Sequence, residues 1–185
     1  GLAGQVTFHR PPPAKKKKGA KNSRRRDPQR ESVVWGRLIE EMGSPPAGVK
    51  WIQVCDRGAD DYEVLLRARR QQCSCVIRVA HLNRNVVAPE GRTVPLQDLL
   101  QELPVSGTRE VNVTASHNQQ PRKAQCEVRF SQLGIPIPSV TNQWIREHAP
   151  PEPLPMWVVE LREMNPPAGS EAIRWVLYTY EAVHT

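Results

Sequence analysis

The sequence predicts an α/β chain: a parallel strand–helix–strand unit followed by a run of antiparallel strands. Two observations carry this. Between Trp51 and Val79 an apolar strand, a turn with a helix, and a second apolar strand succeed one another. A crossover of that kind makes the two strands parallel and the connection right-handed. From about residue 92 the texture changes to apolar–polar alternation broken by Pro, Gly and Asn, which marks antiparallel strands with one exposed face. The chain is therefore divided at residues 1–91 and 92–185.

Taken in order, Leu2 to Phe8 suits a strand. Glu31 to Met42 reads as an amphipathic helix with Val34, Leu38 and Met42 on one face and Trp35 and Ile39 beside them. Gly43 ends it, and Ser44-Pro45-Pro46 prevents its continuation. Ile52 to Cys55 is a short strand that stops at Asp56, and residues 61–71 form the helix. Arg67, Arg69 and Arg70 fall late in that helix, where they suit its negative dipole end. Cys73 to Val79 is a second apolar strand with Arg78 facing opposite to Cys73, Cys75 and Ile77. Pro95 to Glu102 suits a short helix, and strands follow at 109–114, 123–131, 156–162 and 172–180. Residues 132–155 read as a Pro-rich linker, and Asn165-Pro166-Pro167-Ala168-Gly169 as the turn of a final hairpin. No third element is expected to close the parallel unit.

The chain of 185 residues carries a formal charge of +7. Residues 11–30 hold nine Lys/Arg and one Asp, a local +8, so the remainder sums to about −1. Lys15, Lys16, Lys17, Lys18, Arg24, Arg25 and Arg26 form the run. It has too little apolar surface to fold and reads either as a solvated loop or as a grip on nucleic-acid phosphates. No stretch approaches the apolar length of a membrane helix, so no membrane partner is expected. The four cysteines (55, 73, 75, 126) contain no C-x-x-C pair and read as reduced, buried small hydrophobes. With no targeting pattern, that points to the cytoplasm. The opening without Met, in the middle of a strand, is expected of a piece of a longer protein.

Asp60 and Glu63 read as a capping-box pair for the helix, with Gly58 supplying a sharp turn. Asp56 is then left at a strand end without capping duty, where open α/β sheets place their chemistry. A turn-capping carboxylate is the competing reading. Arg78 is equally legible as a surface strand residue. Trp175, which alternates with Ile173 and Leu177, is legible as core packing.

Cys55-Asp56-Arg57-Gly58-Ala59-Asp60, with Arg78 one strand later, resembles the second catalytic block of bacterial cut-and-paste DDE transposases of the insertion-sequence-four family. Glu31-Ser32 with Trp35 is similar to the segment preceding that block. Met164-Asn165-Pro166-Pro167-Ala168-Gly169, with Arg174-Trp175-Val176-Leu177-Tyr178-Thr179, resembles the end of the family's β-strand insertion. In order, the likeness touches most of the chain from Gly1 to Val183.

The resemblance implies a partial RNase H-like catalytic core over 1–91 and an antiparallel β insertion over 92–185. It implies a DNA transposase whose three carboxylates hold two Mg²⁺ (or Mn²⁺) ions for in-line attack on a DNA phosphate. Asp56 matches the second carboxylate, as catalytic residue and metal ligand. Arg78 matches a residue that contacts transposon-end DNA, and Trp175 the aromatic that stacks a flipped base. The implied partners are double-stranded DNA at transposon ends and target, and a second copy of the full-length protein in a synaptic complex. The family's first aspartate, in an Asp-Thr/Ser-Thr block, would precede Gly1, and its Tyr-x-x-Arg-x-x-x-Glu helix would follow Thr185. One carboxylate cannot build a two-metal site, so this chain by itself is expected to be inactive. The basic run at 11–30 exceeds what the family leads one to expect. The alternative is a non-catalytic nucleic-acid-binding module using that run, and a metal-dependent nuclease would need the same absent carboxylates.

Overall fold

A computed structural model describes residues 4–7, 31–114 and 121–184. The basic residues Lys15 to Lys18 and Arg24 to Arg26 lie outside the described residues. So does most of the strand expected over 2–8, and the described part, 4–7, carries no strand.

Helix α1 (Glu31–Met42) has the expected bounds, but its deepest face is displaced from the expected one: Val33, Gly36 and Ile39 are buried, Val34, Leu38 and Met42 are half-buried, and Trp35 is 37% exposed. The reason is Gly36. A Cβ there would stand 2.5 Å from Cδ of Arg67, so the missing side chain lets that arginine cross the helix. Gly43, at φ +73, closes α1 in the left-handed conformation that glycine adopts without strain.

Strand β1 (Ile52–Cys55) leads through a 3₁₀ turn (Arg57–Ala59) into α2 (Tyr62–Arg70) and strand β2 (Ser74–Arg78). β1 and β2 are parallel, with Cys55 opposite Ile77. Cys73, Cys75 and Ile77 are buried, as their alternation predicts. Two short strands, β3 (Asn85–Val87) and β4 (Thr93–Pro95), pair antiparallel and were not legible in the sequence. Helix α3 (Leu96–Glu102) buries Leu96, Leu99 and Leu100. Strands β5 (Gly107–Val113), β6 (Arg122–Ile135), β7 (Leu154–Glu163) and β8 (Arg174–Thr179) are all antiparallel to their neighbours. The Pro-rich 132–155 stretch is less of a linker than expected. β6 runs to Ile135, and a short helix α4 (Gln143–His148) is capped by Asn142, whose Oδ1 accepts from Ile145 N–H at 2.9 Å.

The parallel unit is closed after all. β8 pairs antiparallel with β2, Arg78 lying opposite Leu177, and one mixed, mostly antiparallel sheet runs in the order β1-β2-β8-β7-β6-β3-β4, with β5 also on β6. Side chains from both halves, among them Leu65, Cys75, Ile77, Leu100, Val158 and Tyr178, share a single core. Among the described residues β1 ends the sheet, and its outward Ile52 and Val54 are 47% and 77% exposed.

Arg67 is no solvent-facing dipole partner. Its guanidinium donates to Oε1 of Glu63 from Nη2 at 2.7 Å and Nε at 3.0 Å, pairs with Glu40 of α1, and lies 3.8 Å from the Trp144 ring centroid. Oε2 of Glu63 accepts from Asn142 Nδ2 at 2.7 Å. One arginine thus joins α1, α2 and α4. Truncating one partner of a buried pair strands the other charge, at about 3–5 kcal/mol. Arg67→Ala is accordingly expected to lower the urea unfolding free energy by about that amount. A loss under about 1 kcal/mol, the range of an exposed pair, would contradict the role assigned to it.

Candidate nucleic-acid interface

Asp56 continues β1 in extended backbone, at φ −78 and ψ −170. Because Cys55 is level with Ile77, Asp56 stands level with Arg78 at the carboxyl ends of two adjacent parallel strands. Side chains alternate across a strand, so Val54 and Asp56 share a face with Val76 and Arg78, opposite the buried Cys75 and Ile77. The same face continues into β8 through Leu177, the partner of Arg78, to Trp175. Val176 and Tyr178, 5% and 0% exposed, supply the core on this strand, whereas Trp175 is 44% exposed. The core-packing reading of Trp175 is therefore set aside.

Asp56, Arg78 and Trp175 thus share one face of the sheet at one end. Arg78 and Trp175 also line one groove, of about 320 Å³, whose walls include Arg57, Leu82, Glu171 and Arg174. Arg57 and Arg174 are functional candidates that the sequence reading missed. Arg57 had a signal, since it follows the strand-end carboxylate directly. Arg174 had none separable from any exposed strand arginine, and its Nε donates to the buried Glu160 at 2.7 Å. Arg78 and Arg57 have no ion-pair partner among the described residues, which leaves both guanidinium groups able to meet an anion.

The capping expectations are overturned. The cap of α2 is Asp61, whose Oδ1 accepts from Glu63 N–H at 3.0 Å. Asp60 is buried and bonded elsewhere, and Glu63 serves Arg67. Asp56, for its part, does cap locally. Its Oδ1 accepts from Gly58 N–H at 2.8 Å and so closes the start of the 3₁₀ turn. The carboxylate remains exposed, and its other oxygen has no hydrogen-bond partner among the described residues. No positive φ calls for glycine at Gly58; a Cβ there would stand 3.0 Å from that Oδ1 and press on the bond that closes the turn.

Among the described residues no group of three His, Cys, Asp or Glu is arranged to hold a metal ion. Asp56 offers one carboxylate, and these residues do not complete a divalent-cation site. The Cys55 thiol beside it is pushed up by burial and by the Asp56 charge, so it stays protonated near neutral pH. Burial pushes Cys75 up to about 12. No described helix is long and apolar enough to cross a membrane.

No protein-family model matches this chain, and no curated protein matches it.

Glu163 at the end of β7 anchors the hairpin that presents Trp175. Its carboxylate takes a two-pronged contact from Arg122, one arm at 2.9 Å, and accepts from Ile173 N–H at 3.0 Å. The Arg122 guanidinium, more than the Ile173 N–H, holds this carboxyl below the usual glutamate range. A depressed native pKa stabilises the fold above the unfolded value, and that contribution is lost as pH falls through the native one. Urea unfolding of the native protein and Glu163→Gln should therefore differ most at neutral pH and converge as acidification passes below the usual glutamate range. A gap that is constant with pH would mean that Glu163 carries no such linkage.

Proposed function

We propose that this chain is the part of an RNase H-like DDE transposase that carries the second catalytic aspartate, and that its groove binds transposon-end DNA. The observation that carries the reading is the convergence of Asp56, Arg78 and Trp175 on one sheet face at the carboxyl end of the parallel strands. Convergence of an exposed carboxylate, a guanidinium with no ion-pair partner among the described residues and an exposed indole from three neighbouring strands is not a requirement of packing. It suits a DNA end: guanidinium groups meet phosphate and an indole stacks on an unpaired base. The parallel β1–α2–β2 unit, with Asp56 at its mouth, supports the RNase H-like reading. The basic residues Lys15 to Lys18 and Arg24 to Arg26 would add sequence-independent affinity.

In this reading Asp56 is one of three metal-holding carboxylates, and the other two are required from outside the residues of this chain. The chain's own residues bind and orient DNA: Arg78 and Arg57 grip phosphate, and Trp175 receives the base. The competing reading is a binding module built on the basic run alone, with no part for the groove.

The experiment is DNA binding by the chain at several salt concentrations. Arg78→Ala should weaken binding to all duplexes alike and reduce the slope against log salt by about one. Trp175→Ala should leave stability within about 0.5 kcal/mol and weaken binding by about 1–3 kcal/mol only when the DNA end carries an unpaired base. Asp56→Ala should leave affinity in chelator nearly unchanged. Should neutralising Lys15 to Lys18 abolish binding while Arg78→Ala and Trp175→Ala do nothing, the basic-module reading replaces this one.

A further inference from the structure

The DNA reading gives no part to Asp60, yet it is the most heavily engaged carboxylate near the groove. Its side chain is 0% exposed. Oδ2 accepts from Ala80 N–H at 2.7 Å and from His81 N–H at 3.1 Å. Oδ1 makes an ion pair with Arg84 Nη1 at 2.6 Å that is not aligned as a hydrogen bond, and Arg84 Nη2 donates to the Asp60 carbonyl at 3.0 Å. The backbone N–H of Asp60 donates to the Arg57 carbonyl at 3.3 Å. Helix capping does not explain this burial, because Asp61 supplies the cap.

We propose that Asp60 is the positioning residue of the groove. It ties the turn after β2 to the turn after β1, and so holds Arg78, Leu82 and Arg57 in one wall. The chemistry requires an aspartate. Both oxygens face donors only, two backbone N–H groups on one side and a guanidinium on the other, and a carboxylate is the short side chain with two accepting ends. Asparagine is nearly the same size but has one accepting oxygen, so in either orientation its NH₂ would face donors. A buried carboxylate is costly unless an opposite charge or hydrogen-bond donors meet it, and its place here, between the Arg84 guanidinium and two backbone N–H groups, marks a fixed turn. The far end of that turn is fastened as well: Val79 N–H donates to the Val176 carbonyl at 2.8 Å, beside Trp175.

The ligand in this inference rests on the DNA reading, whereas the clamp does not, and the test separates them. Amide hydrogen exchange and duplex affinity are measured for the native chain, Asp60→Asn, Arg78→Ala and the double variant. Asp60→Asn is expected to speed exchange at Ala80 and His81 by about tenfold or more while β6 and β7 amides keep their protection. It is expected to weaken duplex binding about tenfold alone, and to add little in the Arg78→Ala background, because Asp60 acts through that residue. Unchanged exchange at the two amides overturns the proposal. So does a fully additive loss in the double variant, or a loss of protection spread evenly through the sheet, which would make Asp60 a general stability residue. If Arg78→Ala alone leaves affinity unchanged, the DNA reading falls, and the exchange result still decides the clamp.

Discussion

The pairing of β2 with β8 is the constraint on which the rest of this structure depends. β2 takes β1 as a parallel partner on one side and β8 as an antiparallel partner on the other. That single seam joins the strand–helix–strand unit to the antiparallel strands and makes one core of their apolar faces. It also creates the groove, because Arg78 sits on one side of the seam and Trp175 on the other. Closing so long a loop costs chain entropy that grows only slowly with length. Burial of Cys75, Ile77, Val158 and Tyr178 around the seam offsets it.

Charge inside the molecule is managed by a repeated device. The buried acids Asp60, Glu63, Glu160 and Glu163 each meet an arginine: Arg84, Arg67, Arg174 and Arg122 respectively. Only Arg122 forks onto both oxygens of its acid; in the other pairs the arginine meets one oxygen, and for Asp60 and Glu63 the second accepts from backbone N–H groups or from Asn142. The consequence for function is a sorting of the basic residues. Arg67 and Arg122 are held in structural pairs, whereas Arg57 and Arg78 reach the groove without an ion-pair partner among the described residues. Formal charge alone does not reveal that division.

Several elements were legible because their signals are local. Glu31–Met42 is bounded by Gly43 and two prolines, and the alternation of Cys73, Cys75 and Ile77 fixes a strand with one buried face. The Pro95–Glu102 helix and the turn before Gly169 are likewise local. The inward face of α1 was misread because a glycine, invisible to hydrophobic periodicity, makes room for a side chain from another helix. The cap of α2 was misassigned by one residue because Asp60 and Asp61 are equivalent in sequence. Only the position of the β2 turn, with two N–H groups aimed at Asp60, distinguishes them.

By itself the sequence determined the parallel unit, the antiparallel character of the later strands, and a carboxylate at a strand end, since each rests on residue spacing along a few turns or pleats. Tertiary structure alone decided that β8 lies against β2, that Trp175 faces out while Val176 and Tyr178 face in, and that Asp60 rather than Asp56 is buried. These are choices between faces and partners distant along the chain. They are settled by which arrangement buries apolar surface while giving each buried carboxylate an arginine, a condition on the whole core that no single segment contains.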